Sequence, residues 1–179
     1  PDYATTSLML RFSPIFGKYP DALIDAGLDV DNFLHGQGFG EQLTTAGVKS
    51  YAIKGREIID SALSKMHDRG VTESIGFSTV PEMFVQLRQL LEDKIDEKML
   101  VSAYWPMVDT LAHIYGWEHP AVMAEAEAYL ALFEKEFTQK LSAEARAKTA
   151  VFITFNADRL RREMLSTQAA MRVGDHFSP

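Results

Sequence analysis

From residue 41 to residue 155 the chain alternates short β-prone runs with segments of helical periodicity, and this alternation restricts the fold more than any other feature. Glu41 to Ala46 reads as a short helix stopped by Gly47, and Val48 to Ile53 as a strand. Ser74 to Phe77 reads as a second strand. After it, Ser78 or Thr79 can cap a helix with Pro81 in its first turn and apolar residues at Met83, Phe84, Leu87, Leu90 and Leu91. Lys98 to Tyr104 is a third strand. His119 and Pro120 open a long helix running to about Leu141, in which Val122, Ala126, Tyr129, Leu130, Phe133 and Phe137 fit the helical period. Ala150 to Phe155 is a further strand, followed by a helical tail. Strands separated by helices predict an α/β fold with a largely parallel sheet covered on both faces, since parallel neighbours need a crossover between them.

Residues 1 to 40 are different. Ser13-Pro14, Gly17, Tyr19-Pro20, Gly27 and the run Gly36-Gln37-Gly38-Phe39-Gly40 make this part loop-rich, with one β-prone stretch near Leu8 to Phe12. The glycine run is not a dinucleotide loop: no convincing strand precedes it, and no acidic residue follows on a second strand at the expected distance. It reads as a flexible connection.

Composition narrows the function classes. With 179 residues and 46% hydrophobic content the chain can bury a sizeable core. A formal net charge of -7 argues against a nucleic-acid duplex as partner, because phosphate binding needs a clustered basic surface. The absence of cysteine excludes disulfides, thiolate metal sites and cysteine nucleophiles, so a metal would be held by Asp, Glu and His. No apolar run has the length of a membrane segment, and residues 1 to 30 lack the order of a signal peptide. The compartment stays open. There is no G-x-S-x-G elbow for a Ser-His-Asp hydrolase and no anchor for a pair of glycosidase carboxylates.

The chemistry-bearing pattern is Asp109 and His113, in Tyr104-Trp105-Pro106-Met107-Val108-Asp109-Thr110-Leu111-Ala112-His113-Ile114-Tyr115-Gly116. On a helix this spacing sets a carboxylate and an imidazole on one face, roughly 5 to 6 Å apart at Cβ, where they can share a metal ion. They follow a strand, and in open α/β sheets ligands gather beyond the carboxyl ends of strands. Taken alone, D-x-x-x-H is weak: a solvated Asp and a hydrogen-bonded His on an ordinary helix carry it equally well. His35 and His67 read as surface or loop histidines. His119 reads as a helix-opening residue, and Tyr104 and Trp105 read as packing residues at a strand end. Glu125, Glu127, Glu134 and Glu136 read as a solvated helix face, because unpaired carboxylates are expensive to bury.

Leu100-Val101-Ser102-Ala103-Tyr104-Trp105-Pro106 followed by Asp109, His113 and Tyr115-Gly116 resembles the strand and Y-x-P-x-x-D-x-x-x-H-x-Y-G signature of the type I phosphodiesterase/nucleotide pyrophosphatase family, in the alkaline phosphatase superfamily. Further segments fall in the order of that family. Leu10 to Pro14 resembles its mid-domain connector, Gln42 to Tyr51 its next helix, glycine and strand, and Ser61 to Ser64 with Arg69-Gly70 the loop after that. The resemblance spans about residues 8 to 155. It implies a three-layer α/β/α sandwich of the alkaline phosphatase type, present here in part, with two divalent ions, usually zinc, at one end. It also implies hydrolysis of phosphodiester or pyrophosphate bonds in a small-molecule phosphoester or nucleotide, through a phosphorylated Thr or Ser. Asp109 and His113 match two ligands of one ion, whose third ligand in the family is a later histidine.

The departures shape the expectation as much. The family's first metal-binding Asp and its nucleophile precede the segment that Pro1 opens, and Thr5, Thr6 and Ser7 read as loop residues beside the connector. Where the family has Ala-Asp-His-Gly, this chain has Ala157-Asp158-Arg159-Leu160. Asp158 is then either a ligand of the second ion or the N-cap of the tail helix, and Arg159 cannot replace a histidine because guanidinium has no lone pair to give. One ion, rather than two, is expected. Residues 1–158 thus read as a partial phosphodiesterase-like catalytic domain, and 159–179 as a divergent helical or disordered tail that carries His176. Alternatives are a phosphomonoesterase, sulfatase or phosphonate hydrolase on the same scaffold, and a catalytically dead scaffold or binding domain. A partial domain is expected to expose sheet edges and to self-associate.

Overall fold

The structure, a computed structural model, describes residues 5–8, 11–14, 21–33 and 35–154. By its contacts the chain divides into two units, residues 1–104 and 105–179.

The first unit is built on a parallel sheet. Its strands are β3 (Lys49–Gly55), β4 (Glu73–Phe77) and β5 (Met99–Ala103), in the order β4-β3-β5. Ile53 is in register with Ile75 on one side and Ala103 on the other. Each parallel step carries a helix: α3 (Ala62–His67) joins β3 to β4, and α4 (Val80–Asp93) joins β4 to β5. As the central strand, β3 is buried along Ser50, Tyr51, Ala52 and Ile53, as parallel strands covered on both faces are. Ahead of the sheet lie β1 (Thr5–Leu8) and β2 (Arg11–Pro14), an antiparallel pair, then α1 (Ala22–Asp25) and α2 (Phe39–Thr45). The stretch expected as one strand near Leu8 to Phe12 therefore ends one strand and begins the next.

Local chemistry explains the helix positions. Thr79 Oγ1 accepts the Glu82 N–H at 3.3 Å while the Glu82 carboxylate takes the Ser78 N–H at 2.8 Å, a reciprocal cap that starts α4 with Pro81 in its first turn. Met83 and Phe84 on its inner face are fully buried, and α4 lies against all three strands. The run Gly36 to Gly40 is the lead into α2: Gly38 is the N-cap, and its N–H donates to Glu41 Oε2 at 2.6 Å. A Cβ on Gly40 would stand 2.6 Å from the Arg69 carbonyl oxygen and the Val71 nitrogen, so only glycine lets α2 approach that turn. Arg69 donates to the carbonyls of Asp31 and Gly36, which holds the preceding loop. Ser61 to Ser64, matched to a family loop, instead opens α3, with the Ser61 hydroxyl accepting the Ser64 N–H.

The described part of the second unit, residues 105–154, is helical. It contains α5 (Met107–Tyr115), α6 (Pro120–Leu132), a π-helical turn (Phe133–Thr138) that continues α6, and α7 (Ala143–Lys148). Val108 and Ala112 of α5 pack on Val122 and Ala126 of α6, with Leu111, Trp117, Met123 and Leu130 around them. The single helix expected to Leu141 is thus α-helical only to Leu132. The wider turn stacks Phe133 on Phe137 with ring centroids 5.3 Å apart, and both rings are buried.

The strand expected over residues 150–155 is corrected. Residues 150–154 form no strand, and Phe152 is 90% exposed; Phe155 and the tail 159–179 lie outside the described residues. β-prone side chains make a strand only where a neighbour supplies the ladder, and no described strand pairs with this run. The expected α/β class holds in its coarser form: among the described residues the fold is mixed α/β with an open, all-parallel sheet of three strands.

Candidate metal centre

Helix α5 begins directly after β5 and the Tyr104-Trp105-Pro106 link, with Pro106 as its N-cap. Its apolar side is committed to α6, which leaves Asp109 and His113 off that face. Asp109 stands in the first turn, where its carboxylate suits the positive end of the helix dipole, and His113 stands in the last. Their side chains meet. Asp109 Oδ2 and His113 Nε2 are 3.4 Å apart, with the carboxylate 27% and the imidazole 65% exposed.

That separation bears on what the pair can hold. A direct charge-assisted hydrogen bond between them would close to about 2.7–2.9 Å. Two ligands each about 2.0–2.1 Å from one tetrahedral ion stand about 3.3–3.4 Å apart, the length of a tetrahedron edge. The pair fits two corners of such a site, and solvent reaches the remaining side. Among the described residues no group of three His, Asp or Glu side chains is placed to hold a metal. Asp158 and His176, the tail residues singled out in the sequence, lie outside the described residues.

The surroundings of the pair differ in part from expectation. Trp105 Nε1–H donates to Glu125 Oε1 at 2.7 Å, so Glu125 is a tether for the start of α5 and not part of a solvated face. Glu127 and Glu134 are exposed, and Glu136 pairs with Lys140. Tyr104 is exposed at 41%, not packed away. His119 opens α6 as expected: its Nδ1 accepts the Ala121 N–H at 3.2 Å, and its ring stacks on Tyr115 with centroids 4.6 Å apart. His35 and His67 are exposed.

Two polar clusters in the first unit have no local mark in the sequence. Lys54 Nζ donates to both carboxylate oxygens of Asp68, at 2.8 and 2.7 Å, joining β3 to the end of α3. Tyr51 donates its hydroxyl to Glu97 at 3.0 Å under the ammonium of Lys94; burial, then Glu97, pushes the Tyr51 hydroxyl above its usual range. The available signal was a lysine and a tyrosine inside an otherwise buried strand. Their partners are 14 and 46 residues away, beyond any local pattern.

Among the described residues no helix is long and apolar enough to cross a membrane. No known protein family, no characterised protein and no solved structure matches this chain.

Proposed function

We propose that this chain carries part of the metal-binding face of a hydrolase acting on phosphodiester or nucleotide pyrophosphate bonds, with Asp109 and His113 as two ligands of one divalent ion, zinc by the chemistry of the donors. The observation that carries the reading is the 3.4 Å Asp109–His113 pair on the first helix after a parallel strand, inside a segment that resembles the phosphodiesterase signature. A carboxylate and an imidazole suit zinc, and an open side suits a substrate oxygen. When bound, the ion would offset negative charge on a phosphoryl group. His113 would face it through Nε2, which requires the ring proton on Nδ1, and Asp109 would hold the ion against the helix. The alkaline phosphatase-type sandwich belongs to the same proposal. So does Asp158 as a ligand of a second ion, a role weakened by Arg159 where the family has histidine. The small-molecule phosphoester or nucleotide would be positioned by residues of this face.

The test is zinc affinity, measured by competition with a chelating dye. Asp109→Ala and His113→Ala are each expected to weaken binding by at least about tenfold, since losing even an outer-shell partner of a ligand costs about 10–100-fold. Unchanged affinity in both variants sinks the assignment. If the chain also turns over bis(p-nitrophenyl) phosphate, preference for that diester over a monoester or sulfate ester supports the diesterase reading, and the reverse preference moves it to the monoesterase or sulfatase alternative. Zinc binding without turnover fits a scaffold or binding domain that keeps the pair.

A further inference from the structure

We propose that His119 is a proton-sensitive latch on the α5–α6 hairpin: the neutral imidazole caps α6, and protonation uncaps it. The cap is a single hydrogen bond, from the Ala121 N–H to His119 Nδ1 at 3.2 Å. A ring nitrogen accepts only while unprotonated, so this geometry assigns the ring proton to Nε2. Adding a proton to Nδ1 turns the acceptor into a donor facing a donor. It also places a cation at the positive end of the α6 dipole. Rotating the ring does not help, because both nitrogens of imidazolium are donors and the ring is seated flat on Tyr115 at an interplanar angle of 20°.

The other capped helices lack this sensitivity. The side-chain caps of α3, α4 and α7 are the hydroxyls of Ser61, Thr79 and Ser142, which do not titrate in this range, and α4 and α7 also carry Glu82 and Glu144 in their first turns. Helix α6 has no acidic residue in its first turn to compensate a protonated cap. The titratable groups on the elements packed here are Asp109, His113 and Tyr115 of α5, Glu118 before the cap, and Glu125, Glu127 and Tyr129 of α6. Of these, Tyr115 is in ring contact with His119, Asp109 is beside His113, and Glu125 is held by Trp105. Because α5 and α6 form one packed pair, loosening the first turn of α6 loosens the seat of α5.

The test is nitrogen NMR and amide exchange on the whole chain, comparing the native protein with His119→Asn, whose amide caps at any pH. While neutral, the native His119 ring is expected as the Nε2–H tautomer. As acid is added and the ring's own nitrogen shifts report its protonation, the protection factor of the Ala121 amide is expected to fall about fivefold further in the native chain than in His119→Asn, the size of a lost cap. His119→Ala should show the low value throughout. An Nδ1–H tautomer of the neutral ring, or an equal fall in native and His119→Asn chains, overturns the proposal.

Discussion

Lys54 and Asp68 show how a single residue can matter without any local mark in the sequence. Both side chains are about 15% exposed, and the ammonium donates to both carboxylate oxygens. Removing one partner leaves a largely desolvated charge, whereas replacing both with apolar groups does not. Lys54→Met is therefore expected to lower stability by about 1–3 kcal/mol, and Lys54→Met with Asp68→Leu to recover most of that loss, as read by urea unfolding. A double variant no more stable than the single one would show that the pair is not a coupled unit. Asp109 and His113 are the opposite case. Their four-residue spacing on a helix makes the contact follow from the sequence, and the 3.4 Å separation agrees.

At the scale of elements, what was legible depended on whether the deciding chemistry is local. Helix α4 was readable because its cap, its early proline and its apolar face all lie within 15 residues, from Thr79 to Asp93. Thr79→Ala is expected to cost about 1 kcal/mol in urea unfolding, and Thr79→Ser a few tenths at most, since serine keeps the hydroxyl acceptor. Equal losses would assign the threonine's contribution to its methyl group instead of its cap. The strand expected over 150–155 was misread for the complementary reason. Val151, Phe152, Ile153 and Thr154 have the composition of a strand, but pairing is settled by a neighbour, and here residues 151–154 are unpaired among the described residues. The π-helical turn after Leu132 was equally illegible, because the apolar spacing of Phe133 and Phe137 fits a continuing α-helix as well as the wider turn that stacks them.

For the whole molecule, the parallel sheet is the feature with consequences in solution. Strand β5 pairs with β3 on one side and with no strand on the other among the described residues, and its Leu100 is 41% exposed. It carries no charge along Met99 to Ala103, whereas the other outer strand, β4, carries Glu73. An uncharged apolar edge is a template for pairing with another chain. Concentration-dependent self-association is therefore expected in sedimentation velocity, and Leu100→Lys is expected to reduce it; association unchanged in that variant would place the contact elsewhere. By itself the sequence determined the α/β class, the strands read over residues 48–53, 74–77 and 98–104, the residues that open α4 and α6, and the shared face of Asp109 and His113. All of these rest on interactions within about one helical crossover of chain. Only the tertiary structure decided that β3 is central and β5 outer, that Lys54 meets Asp68 and Trp105 meets Glu125, and that residues 151–154 are not a strand. Those outcomes depend on which distant surfaces meet, and burial and ladder pairing are set by neighbours that no short window of sequence contains.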